Sequence, residues 1–127
     1  MVMEYTTAAQ TVRENLAAGT DEHASSAALN LALQAWRTLA AGDATWDLLG
    51  LELLTVHARL YVEEQEVRVE ADPPSDGPQT RTAVRDLLET LAQHHELMSV
   101  AGSGPLSRRL DHDAAAQQLR RAAAELT

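Results

Sequence analysis

The stretch Thr45–Val62, which reads TWDLLGLELLTVHARLYV, decides the fold. It is the most apolar part of the chain, and its apolar residues recur at the three- and four-residue spacing of an α-helix. At about 100° per residue, one broad face of this helix collects most of the large apolar side chains. That face carries Trp46, Leu49, Gly50, Leu53, Leu54, His57, Leu60 and Tyr61. We predict a core helix that Asp43 caps and that extends as far as Glu66.

Helical spacing and chain breaks on both sides of this stretch predict four further helices. Gly19 is placed to close the first helix, and Thr20 to cap the second. Pro78 suits the first turn of the fourth helix. Together the predicted helices span about residues 4–18, 20–41, 43–66, 78–101 and 106–126. Loops are predicted near residues 72–78 and 102–105, and the alternating residues 66–70 also suit a short extended segment.

Composition favours a single helical domain. The chain has 127 residues, of which 45% are apolar, but only 3% are aromatic and none is Phe. A core of Leu, Val and Ala buries little apolar area per side chain, so burial through self-association is expected to add stability. We predict an all-α fold, one domain over residues 1–127. It is an antiparallel bundle of four main helices plus a short N-terminal helix, assembled as a homodimer.

Charge and composition exclude several classes of function. The formal net charge of −9 is unsuited to nucleic acid and to an anionic membrane surface. The chain has no Cys, which excludes disulfides, thiol catalysis and thiolate metal sites. The N-terminus lacks the features of a secretory leader, and no apolar run is long enough to span a membrane. We therefore expect an acidic, soluble, cytoplasmic protein that binds neither nucleic acid nor membrane.

His57 lies near the middle of the predicted buried face of the third helix. Gly50 precedes it by two turns on nearly the same line, where a glycine usually marks close packing or a space. A pocket in the bundle core would then be lined by Trp46 and Tyr61. Burial would keep His57 neutral, so that it could serve as acid, base or hydrogen-bond donor. The simpler interpretation is a core histidine that is hydrogen-bonded to a facing helix.

The fourth helix carries a second histidine in its apolar seam. That seam consists of Val84, Leu87, Leu91, His94 and Met98, with His95 toward the margin of the same face. The candidate catalytic residues are therefore His57, Tyr61 and His94. The candidate ligand-binding residues are Trp46, Gly50, Leu53, Glu64 and Met98. Two further histidines, His23 and His112, lie near predicted helix starts and are expected to be exposed.

Metal binding is not predicted. His57 and His94 could approach each other, and imidazole suits zinc or iron. However, Glu52 and Glu89 each precede a histidine by five residues. That spacing is about 140° around a helix, so neither pair can chelate one ion. We expect no metal and no other cofactor.

Two classes of function remain compatible with the sequence. The first is a small non-catalytic interaction module, either a homodimer or the small subunit of a complex, which the lack of any catalytic motif favours. The second is a small cofactor-free helical enzyme or ligand-binding protein. In that case a pocket centred on His57 would carry out acid–base chemistry on a small organic molecule. The expected partner is accordingly a second copy of the chain, and the alternatives are another protein or a small organic ligand.

Overall fold

The computed structural model describes residues 2–19, 21–101 and 104–126, and within these ranges it is all-helical. The helices are α1 (Tyr5–Ala18), α2 (Ala24–Leu39), α3 (Ala44–Leu60), α4 (Pro78–Ala101) and α5 (Leu106–Ala124), with a 3-10 turn at Ala40–Gly42 before α3. The predicted all-α class is thus confirmed. Among the described residues, β-type pairing is limited to an isolated bridge between Met3 and Ala71. No helix in this part of the chain is long and apolar enough to cross a membrane.

The start of α2 differs from the predicted one. Asp21 accepts a hydrogen bond from the His23 backbone N–H at 2.9 Å, and its carbonyl accepts one from Ala24 at 3.2 Å. This turn delays the helix to Ala24. The predicted cap Thr20 lies outside the described residues, as do Gly102 and Ser103 of the second predicted loop.

The end of α3 also differs, because the helix stops at Leu60 and does not reach Glu66. Acidic side chains at 63, 64 and 66 would lie at the negative end of the helix dipole, where they are unfavourable. By contrast, Gly19 closes α1 as predicted. Its φ of 71° is left-handed, and its N–H reaches the carbonyls of Asn15 and Leu16.

The helices pack as a bundle in which α4 contacts α1, α2 and α5, while α3 lies between α2 and α5. The core is built almost entirely from leucine, valine and alanine, with Trp46 as its largest fully buried side chain. Alanine dominates the buried faces of α2 and α5, so neighbouring helices can approach closely. The packing is therefore compatible with the predicted bundle.

An irregular segment over residues 61–77 connects α3 to α4 and runs back along α2. The Asn30 carboxamide oxygen accepts a hydrogen bond from the Val69 N–H at 3.1 Å, and the Gln34 side chain donates to the Val69 carbonyl at 2.7 Å. Two side chains of α2 thus hold the segment at one residue. The short extended piece predicted at residues 66–70 forms no strand among the described residues.

Gly50 does not leave an empty space, which corrects the expectation of a core pocket at this position. A Cβ atom placed on Gly50 would overlap the indole ring of Trp36 on α2. The glycine therefore lets α3 approach the large side chain of a neighbouring helix. This contact fixes which side of α3 faces α2.

Substituting Gly50 with Ala should therefore destabilise the protein, although alanine is the better helix former by about 1 kcal/mol. Overpacking against Trp36 costs about 1–3 kcal/mol, so we expect a net loss of unfolding free energy in urea denaturation. Gly77→Ala is the matched control, because nothing lies within 4 Å of a Cβ there. In a Trp36→Phe background, the cost of Gly50→Ala should shrink. An undiminished cost would show that the indole is not the obstacle.

Candidate functional site

His57 is exposed on α3, which corrects the prediction that it lies within the buried stripe. His57 does lie on nearly the same side of α3 as Gly50, because residues seven apart on an α-helix point in almost the same direction. However, α2 and α3 touch at Gly50 and leave a cleft beside His57. The buried line of α3 runs instead through Leu53, Val56 and Leu60.

The cleft beside His57 has a volume of about 270 Å³. Its walls are α2, the second half of α3 and the first residues of the connecting segment. Leu29, Leu33 and Leu54 supply apolar surface, and Arg37 and Glu66 supply charge. It is smaller than the roughly 300–1,000 Å³ of pockets for drug-sized ligands. A ligand that fits it is therefore small.

The structure separates the other predicted site residues from one another. Tyr61 and Glu64 line the cleft with His57. Trp46 is fully buried near the start of α3, where the Arg81 guanidinium lies 5.8 Å from its ring centre. Leu53 is fully buried in the core, and Met98 is 38% exposed near the end of α4. The predicted set therefore does not form one site.

A chain of hydrogen bonds links three buried side chains at the end of the bundle near the end of α3. The Tyr61 hydroxyl and His95 Nε2 are 2.6 Å apart, and His95 Nδ1 lies 2.9 Å from His112 Nδ1. The two imidazole rings stack with an angle of 27° between their planes. This chain joins α3, α4 and α5 through polar contacts inside the core.

Two predictions about the histidines are thereby wrong. His95, not His94, occupies the buried seam of α4 and is only 2% exposed, whereas His94 is half-buried. His112 is buried and not exposed, because α5 turns it toward α4. The sequence did indicate the buried position of His95. His95 follows Leu88 by seven residues and Leu91 by four, so all three side chains lie on one face of the helix. His23 is exposed, as predicted.

Burial holds the imidazoles of this cluster in their neutral form. Burial, together with the neighbouring His94, His112 and Arg108, lowers the pKa of His95 to about 3. The pKa of His112 is also lowered, first by burial and then by Arg108 and His94. Burial likewise lowers the pKa of His94 and raises that of the Tyr61 phenol.

The hydrogen bond between two Nδ1 atoms constrains the protons of the cluster. One proton, and no more, can lie between His95 and His112, because a second would bring two N–H groups face to face. If Tyr61 donates to His95 Nε2, then His95 Nδ1–H donates to His112. In the reverse arrangement His112 Nδ1–H donates to His95, and His95 Nε2–H donates to the Tyr61 oxygen. The hydrogen-bonded cluster therefore has two neutral arrangements, which differ in the direction of both hydrogen bonds. It can also carry a single extra proton.

The described residues contain no group of three or more histidine, aspartate or glutamate side chains arranged to hold a metal ion. Comparison of the chain with protein family models, curated proteins and solved structures gave no match. The arrangement of this chain's own residues is therefore the basis for a functional proposal.

The buried histidines predict a loss of stability in mild acid. An unfolded imidazole takes up a proton near pH 6.5, whereas folded His95 does so only near pH 3. The unfolding free energy should therefore fall as pH drops below about 6.5, by up to about 1.4 kcal/mol per pH unit for each such histidine. Urea denaturation between pH 4.5 and 8 measures this slope. Hydrogen bonds from Thr45 and Arg81 lower the pKa values of the Asp43 and Asp76 carboxylates. These two groups therefore titrate below that window.

His95→Gln removes one titrating group and keeps a side chain that can hydrogen-bond to Tyr61. Its slope between pH 5 and 6 should decrease by about one proton, or about 1.4 kcal/mol per pH unit. The control is His23→Gln, which replaces an exposed histidine outside the cluster and should leave the contribution of His95 to the slope in place. Identical slopes for wild type and His95→Gln would contradict the assignment of His95 as a buried neutral base.

Proposed function

We propose that this chain is a non-catalytic helical interaction module that forms a homodimer through the outer face of α3. The observation that carries the proposal is an apolar stripe on the side of α3 that faces away from the core. Leu48 is 51% exposed and Leu51 63%, and Val62, in the turn that follows the end of α3 at Leu60, is 65% exposed. Together with Thr55 and Ala58, which are also exposed, they form the outer stripe: residues 48, 51, 55, 58 and 62.

The spacing of the outer stripe is the spacing of a helix–helix interface. Within α3, the steps of three, four and three residues from Leu48 to Ala58 correspond to the a and d positions of a heptad repeat. α3 is thus apolar on its core side and again on its solvent side. Asp47, Glu52 and Arg59 separate these two apolar faces, of which the core side alone is buried among the described residues. A second helix laid along the outer stripe would complete that burial.

Neighbouring residues on α5 extend this apolar surface. The Arg59 guanidinium lies 3.4 Å from an Asp111 carboxylate oxygen, and this pair places the start of α5 beside the end of α3. Leu106 and Leu110 on the same part of α5 are 67% and 59% exposed. Leu106 and Leu110 therefore add exposed apolar side chains near the ion pair that joins the two helices. Large exposed apolar patches of this kind mark protein interfaces.

Charge favours a second copy as the occupant. In an antiparallel pair that places Thr55 of one copy against Ala58 of the other, Glu52 of each lies within about 3 Å, along the axis, of the partner's Arg59. Within one chain Glu52 lies 3.8 Å from Arg121, and Arg59 lies 3.4 Å from Asp111. The contacts across the interface would extend these ion pairs. Two symmetric acid–base pairs would then border the stripe. The small Thr55 and Ala58 lie at the centre, where they allow the two helix axes to approach closely. The surface is thus complementary to itself, as a two-fold interface requires.

The alternative function, acid–base catalysis by a buried His57, has less support. His57 is exposed, and Trp36 fills the space at Gly50. The buried imidazoles of His95 and His112 bond to each other and to Tyr61. Those hydrogen bonds satisfy the histidines within the protein, which suits a structural role. The cleft itself remains suited to a ligand.

Sedimentation equilibrium tests the proposed dimer. Wild type should be a dimer at about 50 μM, and Leu51→Glu should raise the dissociation constant at least 100-fold by burying an unpaired charge. The matched control is Leu97→Glu, which replaces a leucine on α4 that is 69% exposed and lies off the stripe. It should leave the dimer intact. Circular dichroism checks that both variants fold.

A charge reversal tests the antiparallel arrangement. Glu52→Arg should weaken the dimer, because the new arginine faces the partner's Arg59. Adding Arg59→Glu should restore much of the lost affinity, since the pairs re-form with opposite polarity. A wild-type chain that stays monomeric at 500 μM would overturn the homodimer. A double variant weaker than either single variant would overturn the antiparallel register.

A further inference from the structure

Several of the polar groups that line the cleft beside His57 have partners within the protein, but among the described residues some charged groups do not. Ser26 donates to a Glu64 carboxylate oxygen at 3.3 Å, and Arg108 lies 3.9 Å from the same carboxylate. Tyr61 is bonded to His95, and Asn30 to Val69. These lining groups already have partners inside the protein.

Four lining side chains, including that of Gln65, differ from this pattern. Throughout the described ranges, the Arg37 guanidinium, the His57 ring and the Glu66 carboxylate have no hydrogen-bond or ion-pair partner within 4 Å. Arg37 is an exposed residue of α2, and Glu66 an exposed residue of the connecting segment. The cleft therefore offers one positive and one negative group above an apolar floor. That floor is formed by Leu29, Leu33 and Leu54.

We propose that this cleft binds a small zwitterion with an apolar side chain, the chemistry of an apolar α-amino acid. Its carboxylate would pair with Arg37 and its ammonium group with Glu66, and the side chain would lie on the three leucines. A carboxylate without an ammonium group would meet Glu66 unfavourably, and an amine without a carboxylate would meet Arg37 unfavourably. His57 supplies a ring nitrogen that can hydrogen-bond to the carboxylate.

The dimensions of the cleft set the size of this ligand. Its volume of about 270 Å³ admits an amino acid with a branched aliphatic side chain but not a drug-sized molecule. The wall next to Tyr61 is held in place, because the Tyr61 hydroxyl is anchored to His95. The segment that carries Glu66 is anchored three residues later, where Val69 bonds to Asn30 and Gln34. The wall next to Tyr61 and the segment that carries Glu66 are therefore held in place before a ligand arrives.

The cleft and the outer stripe lie on different sides of α3. Arg37 and Glu66 belong to α2 and the connecting segment, whereas the stripe faces away from α2. Ligand binding is accordingly independent of dimerisation. The Leu51→Glu variant should bind the ligand as wild type does, so that failure of one proposal is distinguishable from failure of the other.

Three matched probes test the ligand class by nuclear magnetic resonance titration of the labelled full chain. L-leucine carries both charges, 4-methylpentanoate lacks the ammonium group, and 3-methylbutylamine lacks the carboxylate. We expect leucine to bind with a dissociation constant of about 1 mM, and each of the other probes at least threefold more weakly. Shifted signals should cluster at residues 29–37, 54–61 and 64–67.

Charge-neutralising variants test which side chain of the cleft binds each charged group of the ligand. Arg37→Gln should abolish the preference for leucine over the amine, and Glu66→Gln the preference for leucine over the carboxylate. Arg68→Gln is the matched control, since it removes an exposed arginine from the same segment outside this cleft. It should leave all three affinities unchanged. Equal affinities for the three probes in wild type, or no shifts with 20 mM leucine, would overturn the proposal.

Discussion

The contact between Gly50 and Trp36 constrains the rest of the structure. A helix without large aromatic neighbours could rotate about its axis at small cost, and this chain is only 3% aromatic. The absence of a side chain at Gly50 lets the indole of Trp36 lie against the backbone of α3. α3 must therefore turn this side toward α2. At about 100° per residue, the part of the stripe from Leu48 to Ala58 is then centred roughly 120° away and faces solvent.

The same contact explains why the cleft lies where it does. His57 is two turns beyond Gly50 on the line that faces α2, where α2 carries leucines in place of a second indole. Leu29 and Leu33 line the gap, and the connecting segment closes one side of it. Close packing at one end of the helix pair and a cleft at the other thus follow from where the glycine and the tryptophan stand.

The hydrogen bonds among Tyr61, His95 and His112 link three helices just after the end of α3, the same end at which the cleft lies. Two imidazoles in an apolar core would be costly without partners, because buried polar groups need hydrogen bonds. Tyr61, His95 and His112 satisfy one another, so the polar groups cost little and require a defined arrangement of three helices. Tyr61 belongs both to this chain and to the wall of the cleft. Its position therefore depends on the packing of α4 against α5.

Helical periodicity was enough to predict the all-α class, the extent of α4 and the glycine that ends α1. These features depend on neighbours in sequence. Periodicity also predicted that Gly50 and His57 lie on the same side of α3. It did not predict that Trp36 packs against Gly50 or that a cleft lies beside His57. Nor did it predict that α4, which contacts α1, α2 and α5, is the central helix, whereas α3 contacts only α2 and α5 among the described α-helices. The end of α3 was misjudged because an apolar pattern continues to Val62, while the acidic residues beyond it disfavour further helix.

The amino-acid sequence by itself determined where helices form and which of their faces are apolar, because helix formation is governed by local spacing, caps and breakers. Only the tertiary structure decided which apolar face of α3 is buried, since both sides carry leucines and the choice depends on Trp36 of another helix. It also decided that His95 meets His112 and that His57 borders a cleft. Those contacts join residues that are distant in the chain, and no local pattern specifies the distance between two helices.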